Sequence, residues 1–128
     1  MPHFSRRSLE SLEGLDERLI ELAHIVIQSV DFVVLEGQRS MARQKRLVED
    51  GLSKTLESRH LVGKAFDMAP FPIPDDWAPP RFILLGGFFL ATAKANDIPL
   101  RWGGDWRGNF QMNGWADYGH IEIPKGDD

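Results

Sequence analysis

The chain contains no cysteine in its 128 residues, and this absence limits both its fold and its chemistry. Without disulfide bonds the fold depends on its hydrophobic core, and a chain of this length is just large enough for one sizeable core. Thiolate zinc sites and a cysteine nucleophile are excluded as well. Any bound metal must therefore use histidine and carboxylate ligands, and we expect a single domain over residues 1–128.

Composition narrows the class of partner. Hydrophobic residues make up 42% and charged residues 27% of the chain, which is typical of a soluble globular protein. A net charge of −4 argues against nucleic-acid binding through a broad basic surface. The basic N-terminus has no apolar run behind it, so we expect no signal peptide. Residues 82–93 are apolar but too few to span a bilayer, and we expect a buried core helix there and no membrane insertion.

Hydrophobic spacing predicts an α+β fold. Apolar residues recur at helical spacing over residues 15–30, and further helices are predicted for residues 40–50 and 81–96. Short strands are predicted at residues 32–35, 64–69, 100–102 and 120–123. Residues 70–80 are rich in proline, which indicates a surface loop, and residues 103–118 have the glycine, asparagine and tryptophan content of a binding loop. We therefore predict a small antiparallel sheet with flanking helices.

Two of the four histidines lie in unusual surroundings. His60 is followed by a glycine turn and then by Asp67 within a predicted strand, where an unpaired carboxylate would be costly. His120 begins the last predicted strand, with Asp117 three positions before it. Histidine and carboxylate are the ligands that zinc takes in the absence of cysteine. Spacing alone leaves open that His60 caps a turn, that Asp117 is a turn residue and that Glu122 faces solvent.

Five sequence blocks carry a resemblance to a known family. They are Glu36-Gly37-Gln38-Arg39-Ser40, Gly51-Leu52-Ser53-Lys54-Thr55, Ser58-x-His60-x-x-Gly63-x-Ala65-x-Asp67, Trp102-Gly103-Gly104-Asp105-Trp106 and Asp117-x-x-His120-Ile121-Glu122-Ile123. The third resembles the SxHxxGxAxD motif of the peptidases that include phage L-alanyl-D-glutamate endopeptidases and the D-Ala-D-Ala carboxypeptidases and dipeptidases related to vancomycin resistance. The fifth is similar to the closing DxxHFEL motif of that family, and the others match its endopeptidase branch.

The resemblance implies a role for particular residues. It implies a fold like that of these peptidases and of the Hedgehog signalling domain, with a Zn²⁺ ion as cofactor. The implied zinc ligands are His60, Asp67 and His120. Asp117 is the implied catalytic base, Arg39 is placed to stabilise the scissile carbonyl or its oxyanion, and Ser58 and Glu122 orient the ligands. Gln38, Trp102 and Trp106 are the implied substrate contacts, with the neighbouring glycines giving the wall peptide room, although a tryptophan here could equally fill the core.

The chain also departs from the family pattern. Gly119 replaces a common proline, Lys64 replaces a histidine often found in phage members, and Ile121 replaces the usual phenylalanine. These changes do not touch an implied ligand, so they bear on the shape of the pocket rather than on catalysis.

The function implied by the resemblance is hydrolysis of the peptidoglycan stem peptide between L-Ala and D-Glu by a phage lysis protein. Such a protein is expected to act as a monomer, to wait in the host cytoplasm and to reach the cell wall at lysis. Two alternatives stay open at this point. One is a D-Ala-D-Ala carboxypeptidase or dipeptidase, and the other is a zinc-stabilised module that binds wall peptide without cutting it.

Overall fold

The protein folds into a four-stranded antiparallel sheet packed with α-helices. The computed structural model describes residues 2–53, 58–112 and 114–128. In chain order the strands are β1 (Phe32–Glu36), β2 (Ala65–Pro70), β3 (Arg101–Trp102) and β4 (His120–Glu122). They lie side by side in the order β1-β2-β4-β3. The α+β fold predicted from the sequence, with its small antiparallel sheet, is confirmed.

The helices occupy the predicted regions, with one addition. They are α1 (Arg6–Leu12), α2 (Glu17–Ile27), α3 (Met41–Glu49) and α4 (Pro79–Ala95), and a short 3₁₀ helix covers Arg59–Val62. The sequence pattern did not predict α1 because it is short and has little apolar periodicity. Its N-terminus is capped by Ser5, whose hydroxyl accepts a hydrogen bond from the Ser8 amide at 3.1 Å.

The core lies between the sheet and helices α2 and α4. Leu19 and Leu22 of α2, Phe89 of α4 and Phe66 of β2 are all fully buried. Each such side chain stabilises the fold by about 1.5–3 kcal/mol relative to exposure. Helix α4 contributes Leu85 and Phe89 to the core, as predicted, but its outer face is not covered, and Leu84 there is 75% exposed.

The pairing of β2 with both neighbours places Asp67 at the centre of the sheet. Asp67 lies opposite His120 of β4 and opposite Glu36 of β1, where the register shifts between Val34 and Glu36. Two acidic side chains and a histidine therefore meet on adjacent strands. Among the described residues, the helices are all too short or too polar to cross a membrane.

Candidate active site

Three side chains that are distant in sequence converge at the centre of the sheet. Among the described residues, His60, Asp67 and His120 offer ligand atoms that all lie within 4.8 Å of one another. Asp67 Oδ1 is the shared neighbour, at 3.3 Å from His60 Nε2 and 3.4 Å from His120 Nδ1. Two imidazoles and a carboxylate in this arrangement could hold a metal ion.

His60 is fixed by a rigid turn. Ser58 caps the 3₁₀ helix, its hydroxyl accepting a hydrogen bond from the His60 amide at 3.2 Å, and Gly63 ends the helix with a left-handed φ of 70°. The His60 imidazole is held by its Nδ1, which lies 2.8 Å from the carbonyl oxygen of Gly37. Because a carbonyl only accepts, Nδ1 donates to it, and Nε2 is the ring nitrogen that faces Asp67.

The His120 ring is also held by one hydrogen bond, at Nε2, while its Nδ1 faces Asp67. Its Nε2 lies 2.8 Å from Glu122 Oε1, and Glu122 Oε2 accepts a hydrogen bond of 2.8 Å from Arg101 Nη2. Arg101 and Glu122 are direct cross-strand partners on β3 and β4. Hydrogen bonds of this kind, made by the ring nitrogen that faces away from a metal, orient histidine ligands in metalloproteins.

The charges of Asp67 and Glu122 favour a positive charge within the cluster. Burial raises the pKa of the Asp67 carboxyl, but hydrogen bonds with His120 and His60 outweigh burial and hold that pKa well below its usual range. Burial lowers the pKa of His120, whereas hydrogen bonds with Asp67 and Glu122 raise it to about 9. A carboxylate between two imidazoles thus favours a bound proton or, in its place, a cation.

Arg39 lies beside the cluster and is held from several directions. Its amide donates to the carbonyl of His60 at 2.8 Å, and its guanidinium donates to Glu36 and Gln44, each at 2.8 Å. The distance from Arg39 Nη2 to Asp67 Oδ2 is 3.6 Å. The guanidinium therefore lies beside the cluster of His60, Asp67 and His120 and is held there by neighbouring side chains.

Asp117 is positioned by the backbone of Gly103. The Asp117 amide donates to the Gly103 carbonyl at 2.8 Å, and the Gly103 amide donates to the His120 carbonyl at 2.7 Å. These two segments of the backbone are so close that a Cβ added at Gly103 would lie 2.1 Å from the Asp117 carbonyl oxygen. Burial and the charge of Asp67 raise the pKa of the Asp117 carboxyl.

Two cavities meet at Asp67 and Asp117, both of which line each of them. The large cavity, of about 770 Å³, also contains His60, His120 and Arg39. The small cavity, of about 370 Å³, extends beneath Trp77 and Phe82. A chain that crosses from one cavity to the other would pass directly over the histidine and carboxylate cluster.

Two of the predicted substrate contacts, Trp102 and Gln38, do not line either cavity. Trp102 is only 3% exposed, and its indole is packed so closely between two glycines that a Cβ at Gly86 or Gly104 would lie 2.2 Å from the ring. Gly104 therefore makes room for a core tryptophan, as Gly103 does for Asp117, and not for a ligand. Gln38 is exposed, but its side chain lies against Gly14 and does not line either cavity.

Trp106 does line the large cavity. Its ring stacks on Trp115 with centroids 6.0 Å apart and planes 6° apart, and it lies 5.3 Å from the His120 ring. In the block Gly51-Leu52-Ser53-Lys54-Thr55, the last two residues lie outside the described part of the chain.

Several participants were not predicted from the sequence. The Gly37 carbonyl, the Arg101 guanidinium and the Gly103 backbone all support predicted site residues. Cross-strand pairing of β3 with β4 would have indicated Arg101, but the register of these short strands is not visible in the sequence. Backbone contacts such as those of Gly37 leave no side-chain pattern.

Comparison with known proteins gives a consistent result. The family model described as phage L-alanyl-D-glutamate peptidase matches residues 1–124. The L-alanyl-D-glutamate peptidase of Escherichia phage T5 is 26% identical, over 94% of this chain and 96% of the relative. The L-alanyl-D-glutamate peptidase of Listeria phage A118 is 34% identical over 97% of this chain, which spans 47% of that longer relative.

A solved structure agrees with these relatives. The crystal structure of the Serratia marcescens L-Ala D-Glu endopeptidase ChiX superposes with a TM-score of 0.82 at 30% sequence identity. The match covers 98% of this chain and 92% of that one.

Proposed function

The chain belongs to the phage L-alanyl-D-glutamate peptidase family, and on that premise we propose that it is a zinc-dependent endopeptidase of bacterial peptidoglycan. The bond it hydrolyses is the one between L-Ala and D-Glu in the stem peptide. Among the described residues, the observation that carries the zinc assignment is the convergence of His60, Asp67 and His120 within 4.8 Å.

The donor set suits zinc in type and in spacing. Two histidines and one carboxylate form a three-ligand set with a fourth position for water, the arrangement of catalytic zinc sites. Bonds of about 2.0–2.1 Å in a tetrahedron place ligand atoms about 3.3–3.4 Å apart. The separations of 3.3 and 3.4 Å around Asp67 Oδ1 match that edge length. When bound, zinc supplies Lewis acidity and lowers the pKa of its water towards about 7.

In the proposed mechanism Asp117 moves the protons. Its carboxylate takes a proton from the attacking water as a general base and later delivers it to the leaving amine of D-Glu. Its location supports this role, because Asp117 lines both cavities and so lies beside any peptide that crosses between them. The backbone hydrogen bond from its amide to the Gly103 carbonyl holds this segment, and the Gly119 backbone hydrogen-bonds to the Asp117 carboxyl.

Arg39 is proposed to stabilise the oxyanion that develops on the L-Ala carbonyl. A guanidinium already fixed by Glu36 and Gln44 loses little entropy when it meets that charge, and such preorganised electrostatics contribute strongly to catalysis. Ser58 and Glu122 are proposed to act through the histidines, the first through the His60 amide and the second through the His120 ring. The proposed place of action is the cell wall, reached from the host cytoplasm as a monomer at lysis.

Mass spectrometry of digested peptidoglycan tests this function. Purified sacculi incubated with the protein should yield new L-Ala carboxyl and D-Glu amino termini, and a chelator should suppress them until zinc is restored. Release of D-Ala alone would instead identify a carboxypeptidase. Zinc binding without any new terminus would identify a wall-binding module.

A further inference from the structure

The two cavities that meet at the catalytic cluster differ in charge. Apart from the shared Asp67 and Asp117, the small cavity is lined by apolar or uncharged residues, among them Leu35, Trp77 and Phe82. Among the described residues, the large cavity adds two acidic side chains, Glu36 and Glu122, and four cationic ones. The cationic residues are Arg39, Arg59, Arg101 and Lys125. A substrate that fills both cavities would therefore meet apolar and uncharged side chains on one side and cationic side chains on the other.

The substrate of the proposed function is asymmetric in the same way. On one side of the scissile bond L-Ala offers a methyl group. On the other side D-Glu continues the chain through its γ-carboxyl, so its α-carboxylate is free and negatively charged. We propose that the large cavity receives the D-Glu side and that Arg101 binds this α-carboxylate. The inference rests on the proposed function and adds to it the residue that determines specificity.

Arg59 and Arg39 are held by hydrogen bonds within the protein. Arg59 is 8% exposed and donates to the carbonyl of Ile123 at 2.8 and 3.1 Å and to Asp128, which fixes the turn that bears His60. The Arg39 side chain is 9% exposed and bonded to Glu36 and Gln44. The one remaining nitrogen of Arg39, Nη2, lies 3.6 Å from Asp67 Oδ2, on the side where the proposed function assigns it to the oxyanion.

Arg101 differs because its side chain is held in place and is still accessible to a ligand. Its side chain is 40% exposed, and its guanidinium carbon lies 5.4 Å from the centroid of the Trp106 ring, which supports it from below. Within the described chain it donates a single hydrogen bond, from Nη2 to Glu122; its Nε is buried without a partner, so the donors left for a ligand are those of the two terminal nitrogens. A planar guanidinium with spare donors suits a bidentate carboxylate better than the exposed ammonium of Lys125 does.

The position of Arg101 also suits the substrate. The α-carboxylate of D-Glu is carried by the carbon bonded to the scissile nitrogen, so it must lie close to the zinc ligands. Arg101 is joined to the ligand His120 through Glu122 by two hydrogen bonds of 2.8 Å. Arg101 also lines the same cavity as His60, His120 and Asp117, so a carboxylate on that carbon would enter the cavity that contains the guanidinium.

Two synthetic peptides that differ in one group test the proposal. One contains L-Ala-γ-D-Glu with its free α-carboxylate, and the other contains the α-amide, D-isoglutamine. The native zinc enzyme should cleave the acid with a kcat/KM at least about tenfold higher, since a charge-assisted hydrogen bond is lost with the amide. Arg101→Gln should bring this ratio close to one, whereas Lys125→Gln, which removes an equal charge from the same cavity, should preserve it.

The ratio separates recognition from a structural effect. If Arg101 only supported Glu122, its loss would reduce zinc content and the hydrolysis of both peptides together and leave the ratio unchanged, which would overturn the proposal. Equal cleavage of both peptides by the native enzyme would also overturn it while leaving the proposed function intact. Cleavage of neither peptide would overturn the proposed function, and this inference with it.

Discussion

The ligand cluster and the tryptophan loop (residues 103–118) border the same cavity but are held in different ways. In the cluster, His60 and His120 are buried and each ring has a fixed hydrogen-bond partner. In the outer part of the loop Trp115 is 66% and Phe110 81% exposed, and Phe110 has a φ of 60°. The comparison indicates that the cluster is fixed by buried side-chain hydrogen bonds, while the loop presents exposed aromatic side chains, which under the proposed function would contact the wall peptide.

Gly103 is where the two regions join, and a substitution there should have the largest effect. In Gly103→Ala the new methyl group would collide with the Asp117 carbonyl, 2.1 Å away, and displace Asp117 and His120. Because a shift of about 1 Å in a catalytic group can cost about 100-fold in rate, we expect kcat on peptidoglycan fragments to fall at least that far.

Gly87→Ala is the matched control for Gly103→Ala. A Cβ at Gly87 on helix α4 would meet no atom within 4 Å. We expect unchanged kcat and a gain in the free energy of unfolding of about 0.5–1 kcal/mol. Full activity of Gly103→Ala would show that the loop does not position the catalytic carboxylate.

Within the cluster, Glu122 should matter more than Ser58. Glu122→Gln replaces the carboxylate that holds the His120 ring, and we expect zinc affinity to fall about 10–100-fold in competition with a chelator. Ser58→Ala removes a helix cap that contacts only the His60 amide, so it should reduce the free energy of unfolding by about 1 kcal/mol with little effect on zinc. Equal zinc loss in both variants would contradict this ranking.

The loop surface should give the smallest effect. Trp106→Ala removes a ring that lines the large cavity, and we expect KM for stem-peptide fragments to rise several-fold, or about 0.5–1 kcal/mol, with zinc content unchanged. Phe110→Ala, in the same loop but outside the cavity lining, should leave KM as it is. If zinc were lost in Trp106→Ala, the two regions would not be separable.

The sequence predicted what depends on local spacing. Three predicted helices and four predicted strands are present near their expected bounds, and the short step from His60 through Gly63 to Asp67 brought the first two candidate ligands together. What it could not predict depends on contacts between distant segments. Trp102 looked like a cleft residue, yet Gly86, on another element, gives its indole a place in the core. Gln38 matched a motif, but only the tertiary structure shows that it lies against Gly14.

The central claim is that Asp117 performs chemistry while His120 holds the metal. It is tested most directly by measuring zinc content and peptidoglycan hydrolysis in the same preparations of Asp117→Ala and His120→Ala. We predict one zinc per chain and almost no hydrolysis for Asp117→Ala, and loss of both for His120→Ala. Full hydrolysis by zinc-loaded Asp117→Ala, or a full zinc content in His120→Ala, would contradict the account.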